Sequence, residues 1–157
     1  MIAIALACRP ALLIADEPTT GLDVTTQAVI MDLIGELARA AGMATILITH
    51  DLALAAEYCD RIVVMHAGHI IEIAPARALF DRPRHPYSAK LLAATPGDTT
   101  SLDGLASIPG NLPDLRRSDL PACRYSDRCE RRTDDCARPL PRREAGPGRT
   151  VACWSPL

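Results

Sequence analysis

An apolar run, residues 11–15, ends in the adjacent acids Asp16 and Glu17, after which the chain turns through a proline and a glycine. A continuous apolar run of this length is typical of a buried parallel strand. In open α/β sheets the ligand site lies at the carboxyl ends of such strands, so both acids are expected there. One carboxylate can hold Mg²⁺ through its water shell while its neighbour orients or deprotonates the attacking water, an arrangement that suits ATP hydrolysis.

A helix and a second strand follow the acids. Asp23 suits a helix N-cap, and apolar residues then recur with the spacing of one helix face until Gly42. They are Val29, Ile30, Leu33, Ile34 and Leu37. Residues 44–49 form a β-branched run, so the order strand, helix, strand predicts a parallel crossover unit. His50 ends the second strand, on the same sheet edge as the acids if the strands are neighbours. On spacing alone, a surface or capping histidine is the alternative.

A hairpin is predicted next, around the two-residue turn signal Ala67-Gly68. His66 and His69 bracket this turn and are expected to be exposed strand-end residues. Short helices are expected over 75–80 and 86–94, each beginning with a proline.

The amino-acid composition changes near Pro96-Gly97, because residues 96–157 hold eight of the thirteen prolines and have weaker periodicity. The net charge of −2 and the lack of a long basic tract argue against nucleic acid as a partner. The longest apolar stretch, residues 1–15, is interrupted by Arg9-Pro10 and is too short to span a membrane.

Two segments, LLIADEPTTGLD and LITHDLALAAEYCDRIVVMHAGHIIE, together resemble the ATP-binding subunits of ABC transporters. The resemblance implies that residues 11–17 are the Walker B strand, with Asp16 at Mg²⁺ and Glu17 as the catalytic glutamate. It also implies that His50 is the switch histidine that contacts the γ-phosphate. Gly21-Leu22-Asp23 would be the D-loop, which lies across the interface of a nucleotide-sandwich dimer, although helix capping is the simpler explanation of Asp23.

The segment RHPYSAKLL, residues 84–92, resembles the HPY segment of oligopeptide and dipeptide importer ATPases, and SIPGNLPDL fits the same extension. The implied class is α/β: residues 1–80 form the carboxy-terminal part of a P-loop ABC ATPase sheet, and residues 81–157 an irregular cysteine-rich extension. The implied partners are a second ATP-binding subunit, transmembrane permease subunits and, indirectly, a substrate-binding protein. The implied location is peripheral, on the cytoplasmic face of the cell membrane.

Four tail cysteines are separated by gaps of five, six and sixteen residues, none of them the C-x-x-C knuckle of common zinc sites. They are Cys123, Cys129, Cys136 and Cys153. Four thiolates can close around an iron–sulfur cluster, while spacing alone leaves free or disulfide-linked cysteines open. Because peptide-importer ATPases with a similar tail carry a four-iron four-sulfur cluster, the resemblance implies that group here.

No phosphate loop of the form G-x-x-x-x-G-K-[ST] occurs in the 157 residues, whose single lysine is Lys90, and the glutamine loop and LSGGQ-type signature are absent too. The expectation is therefore the carboxy-terminal portion of a peptide-importer ATPase, inactive alone. The alternative is a non-catalytic iron–sulfur or metal-binding regulatory remnant of such a subunit. A DNA-repair or chromosome-structure ATPase shares the acid pair, but the HPY segment and cysteine tail argue against it.

Overall fold

A computed structural model describes residues 2–95 and 107–157, which form two compact units, Met1–Cys59 and Asp60–Leu157. The mixed α/β class is confirmed by helices and strands in both units. Three expectations stay predictions: the sequence-based division at residue 80, the phosphate-loop ancestry of the sheet and the separate cysteine-rich extension. The composition boundary at Pro96-Gly97 lies outside the described residues.

The first unit is a crossover of two parallel strands and a long helix, flanked by two short helices. Its elements are α1 (Ile2–Leu6), β1 (Leu12–Asp16), α2 (Val24–Ala41), β2 (Ala44–Ile48) and α3 (Leu52–Tyr58). β1 and β2 pair in parallel from Leu12 opposite Ala44 to Asp16 opposite Ile48. The helix between them ends at Gly42, whose left-handed φ of 60° is a backbone shape that glycine adopts without a Cβ penalty. The predicted strand, helix, strand order is confirmed.

The core of the first unit lies on one face of this small sheet. Five buried side chains form it: Leu13, Met31, Ile34, Met43 and Leu54. Each contributes about 1.5–3 kcal/mol by leaving water. The buried stripe of α2 is rotated from the predicted one toward Met31 and Ala38, and Val29 is 61% exposed. Of the five residues predicted to share one helix face, Ile30 and Ile34 contact this core, whereas Val29, Leu33 and Leu37 are exposed.

The second unit is built on an antiparallel hairpin and short helices. Its first elements are β3 (Arg61–His66), β4 (His69–Pro75), α4 (Ala76–Asp81) and α5 (Pro86–Ala93). Ala67 and Gly68 take φ values of 49° and 83°, the double left-handed turn that joins two strands through two residues. The predicted hairpin is confirmed.

The tail adds two strands to this sheet. β5 (Arg143–Glu144) and β6 (Thr150–Val151) give the strand order β3-β4-β6-β5, in which Val151 lies opposite Glu72. Two single-turn 3₁₀ helices, Ser126–Arg128 and Asp134–Ala137, precede them. The strands are only two residues long, too short for any alternation to be read from the sequence.

A buried ion pair fixes this arrangement. Arg149 Nη2 lies 2.9 Å from Glu72 Oε1, and the backbone amides of Arg84 and His85 donate to the Glu72 carboxylate, each at 2.9 Å. Glu72 therefore holds β4, the start of α5 and the tail together. A buried carboxylate with these three donors has its charge well compensated.

His66 is buried and not exposed, so that prediction is wrong. It is 2% exposed and makes edge contacts with Tyr87 and Tyr125, their ring centroids 4.5 and 5.3 Å away. The reason is strand parity: Ile62, Val64 and His66 alternate on the buried face of β3. Burial and the nearby charge of Arg128 lower the pKa of His66 to about 4, which keeps the ring neutral at pH 7.

Candidate functional site

The parallel register brings Glu17 and His50 to the same edge of the sheet. Asp16, the last residue of β1, lies opposite Ile48 of β2, and the Glu17 amide continues the ladder by donating to Ile48 O at 2.9 Å. Each residue follows the carboxyl end of its strand, where ligand sites of such sheets lie.

The side chains of Glu17 and His50 are paired. His50 Nδ1 lies 2.7 Å from Glu17 Oε1, and the His50 backbone amide donates to the same oxygen at 3.0 Å. Through these bonds His50 lowers the pKa of Glu17, and Glu17 raises the pKa of His50. The His50 side chain is 84% exposed, and no described residue hydrogen-bonds its Nε2. A protonated His50 can therefore present Nε2–H to an external anion.

Glu17 occupies a strained backbone position. Its φ is 45°, in the left-handed region that a non-glycine residue seldom adopts. Thr20 stands across a turn from it: the Thr20 amide donates to Glu17 O at 3.2 Å, and the Thr20 hydroxyl donates to Glu17 Oε2 at 3.3 Å. Sequence reasoning missed Thr20, although a threonine three residues after an acid was a signal for such a side-chain contact.

Asp16 is exposed at the end of β1, and its carboxylate has no side-chain hydrogen bond or ion pair with any described residue. Mg²⁺ prefers oxygen ligands and takes one or two carboxylates, with water and substrate phosphates completing the shell. The carboxylate of Asp16, which is exposed and next to Glu17, fits that donor set.

Asp23 caps α2. Its Oδ1 accepts from the Thr26 amide at 3.0 Å and its Oδ2 accepts from the Thr26 hydroxyl at 2.7 Å, and these bonds lower the pKa of Asp23. Both oxygens are thus used within the helix terminus. A further role at a dimer interface stays a prediction.

Asp51, next to His50, caps the following helix. Leu54 N donates to Asp51 Oδ1 at 3.0 Å and Gln27 Nε2 donates to Oδ2 at 3.3 Å. The carboxylate of Asp51 therefore ties the start of α3 to α2 and fixes the backbone that carries His50. Sequence reasoning assigned no role to Gln27 or Asp51.

The tail cysteines are free thiols. Cys123, Cys136 and Cys153 are buried, and Cys129 is half-buried. Burial raises the pKa of Cys123 and Cys129, and raises that of Cys153 to about 11. Within residues 2–95 and 107–157, no group of three or more histidine, cysteine or acidic side chains is arranged to hold a metal ion. The metal-binding alternative to ATPase function therefore finds no support in this part of the chain.

Comparison with known proteins gives one family model for part of the second unit and similar proteins along the whole chain. Residues 71–136 match the family described as "Oligopeptide/dipeptide transporter, C-terminal region". The oligopeptide transport ATP-binding protein OppD of Escherichia coli is 49% identical over 158 residues, which cover 100% of this chain and 46% of that protein. Over its whole length the chain is thus similar to ATP-binding proteins of oligopeptide and dipeptide transport. Both segments that carry the sequence resemblance lie within the aligned length.

Two further relatives have similar identity. OppD of Salmonella typhimurium is 48% identical over 158 residues, covering 100% of this chain and 47% of that protein. The dipeptide transport ATP-binding protein DppD of Escherichia coli is 48% identical over 159 residues, which cover 100% of this chain and 48% of that protein. The chain spans about half the length of these relatives. None of the helices in the described residues combines the length and apolar character needed to cross a bilayer.

Proposed function

We propose that this chain supplies the hydrolytic edge of the ATP-hydrolysing, energy-coupling subunit of an ABC importer for oligopeptides or dipeptides. The observation that carries the proposal is the Glu17–His50 pair at the carboxyl ends of two parallel strands. The relatives support the class, since they are named as ATP-binding proteins of oligopeptide and dipeptide transport.

The proposed chemistry is transfer of the γ-phosphoryl group of ATP to water. Glu17 accepts a hydrogen bond from the attacking water and receives its proton, and Nε2–H of His50 donates to a γ-phosphate oxygen. Asp16 would hold Mg²⁺ through its open carboxylate. When bound, this ion neutralises charge that develops on the phosphates.

The phosphates need additional contacts, because the 157 residues contain no phosphate loop. In the proposal those contacts come from further ATP-binding sequence, and Asp23 lies at the interface with a second ATP-binding subunit. Transmembrane permease subunits and, indirectly, a substrate-binding protein complete the importer, with this chain peripheral on the cytoplasmic face of the membrane.

An iron–sulfur cluster at the tail cysteines is a separate part of the proposal. Its support is the donor chemistry: backbone amides of Tyr125, Arg131 and Ser155 donate to the sulfurs two residues earlier, and Thr133 N donates to Cys136 Sγ at 3.5 Å. Soft thiolates supported by such bonds suit iron–sulfur chemistry. In the proposal the group is a four-iron four-sulfur core that would act as a cross-link of the tail.

Iron analysis tests the cluster. Anaerobically purified protein should be brown and contain about four iron atoms per chain. Cys153→Ser should lower the iron content, whereas Cys8→Ser, at an exposed cysteine of the other unit, should leave it unchanged. A folded, colourless and iron-free protein would remove the cluster from the proposal without affecting the ATPase assignment.

Peptide uptake tests the transport function. Cells that lack the gene should lose ATP-dependent uptake of a labelled dipeptide or oligopeptide, and the longest reading frame that contains residues 1–157 should restore it. Uptake of an unrelated amino acid serves as the control. Unchanged peptide uptake in cells without the gene would contradict the proposed cargo class.

A further inference from the structure

Each oxygen of the Glu17 carboxylate has its own hydrogen-bond donor or donors. His50 supplies both donors to Oε1, at 2.7 and 3.0 Å, whereas Thr20 supplies the donor to Oε2, at 3.3 Å. Glu17 is only half-buried, so packing alone does not fix its side chain. Its orientation depends on these hydrogen bonds.

Thr20 is itself fixed by a tight turn. Its amide donates to Glu17 O at 3.2 Å, Leu22 N donates to Thr19 O at 3.1 Å, and Gly21 takes a left-handed φ of 81°. The buried Thr19 anchors the turn. The hydroxyl of Thr20 therefore stands at a defined place relative to the strained backbone of Glu17.

A bound nucleotide would affect the His50 and Thr20 contacts of Glu17 differently. In the proposed reaction the imidazole of His50 must reach a phosphate oxygen, and a rotation of the ring toward it would weaken the Nδ1 contact with Oε1. The contacts from the His50 backbone amide to Oε1 and from the Thr20 hydroxyl to Oε2 do not involve the ring, and the Thr20 contact fixes the second carboxylate oxygen.

We propose that Thr20 is a positioning residue for Glu17: its hydroxyl holds Oε2 so that Oε1 remains directed toward the sheet edge when His50 turns to the nucleotide. This role rests on the proposed ATPase function. Thr20 takes no part in proton transfer, and it acts only by limiting the orientations of the Glu17 carboxylate.

Two substitutions isolate the hydroxyl. Thr20→Val keeps the shape of the side chain and removes the donor, and Thr20→Ser keeps the donor. In the longest reading frame that contains residues 1–157, Thr20→Val should lower kcat for ATP hydrolysis roughly three- to tenfold with little change in KM. Thr20→Ser should restore kcat. Thr20→Ala provides a second donor-free variant if Thr20→Val folds poorly.

A titration gives a readout that a purely structural role would not move. By ¹³C NMR of the Glu17 carboxyl, Thr20→Val should raise the pKa of Glu17, because a donor to the ionised form is lost. Thr20→Ser should leave it unchanged. Equal pKa and kcat values in the valine and serine variants would overturn the role of Thr20.

The outcome for Thr20 is distinguishable from the outcome for the ATPase proposal. If Glu17→Gln retains normal hydrolysis, the proposed function fails whatever Thr20 does. If Glu17→Gln abolishes hydrolysis while Thr20→Val and Thr20→Ser have the same kcat, only the positioning role of Thr20 fails.

Discussion

Glu17 and His50 are 33 residues apart in sequence, yet His50 Nδ1 lies 2.7 Å from Glu17 Oε1. The pairing follows from the parallel register of β1 and β2, which ends with Asp16 opposite Ile48. Because the His50 side chain is 84% exposed, the contact is available to change when a ligand arrives.

The Glu17–His50 pair predicts a shifted histidine titration. His50 should titrate above its ordinary pKa of 6.5 and Glu17 below its ordinary 4.5. The folded-state pKa of His50 is raised, so its contribution to stability is full below pH 6.5 and is lost as pH rises through the folded value. The stability contribution of Glu17 is full above pH 4.5 and is lost as pH falls through the folded-state pKa of Glu17. The pair therefore contributes fully between about pH 4.5 and 6.5.

NMR titration of the His50 ring checks this. Glu17→Gln should return the pKa of His50 toward 6.5, whereas Asp51→Asn should have a smaller effect, since Asp51 acts on His50 only through its charge. A pKa of His50 that does not respond to Glu17→Gln would show that the pair does not form in solution.

The Glu72–Arg149 ion pair predicts a large stability loss on neutralisation. Glu72→Gln should destabilise the second unit by about 3 kcal/mol, because a buried arginine loses its counter-charge. Urea unfolding followed by the fluorescence of Trp154, the single tryptophan, measures the change. Glu130→Gln is the matched control: it breaks an exposed pair with Lys90 and should cost less than about 1 kcal/mol. Equal losses in the two variants would contradict the structural role of Glu72.

His66 predicts an acid-sensitive second unit. Its folded pKa of about 4 lies below the ordinary 6.5, so the stability linked to its neutral form is present above pH 6.5 and is lost as pH falls through about 4. His66→Phe should make this loss shallower. At pH 7 it should leave stability unchanged or higher, because both ring nitrogens of His66 lack partners among the described residues.

His85 is the comparison for His66, since it is buried too and burial lowers its pKa to about 4. Its Nδ1 accepts from Tyr87 N at 3.0 Å and caps α5. His85→Phe should therefore cost about 1 kcal/mol at pH 7. A His66→Phe variant less stable than His85→Phe at pH 7 would refute the assignment of His66 as an unpartnered ring.

Short-range signals in the sequence were sufficient for β1, α2, β2 and the β3–β4 hairpin. The Asp23 cap, Gly42 and Ala67-Gly68 each specify a local backbone shape, and the helix between two apolar runs specifies parallel pairing. That pairing placed Glu17 and His50 together. The contacts of Thr20 and Gln27 were not foreseen, because no periodicity marks a single side-chain hydrogen bond.

Long-range contacts account for what was missed in the second unit. β6 joins β4 beside the Glu72–Arg149 pair, whose partners are 77 residues apart, and no local pattern encodes such a contact. The burial of His66 was predictable from the sequence, because the alternation Ile62, Val64, His66 puts it on the apolar face. Treating it as a strand-end polar residue was the error.

The role of Glu17 in activating water is measured by single-turnover and steady-state ATP hydrolysis of the Glu17→Gln variant, in the longest reading frame that contains residues 1–157. Glu36→Gln, at an exposed position of α2, is the matched loss of one carboxylate. Glu17→Gln should keep the ATP dissociation constant and lower turnover by at least about 100-fold, while Glu36→Gln behaves as the unmodified protein. Turnover by Glu17→Gln equal to that of Glu36→Gln would contradict the assignment of Glu17 as the group that activates water.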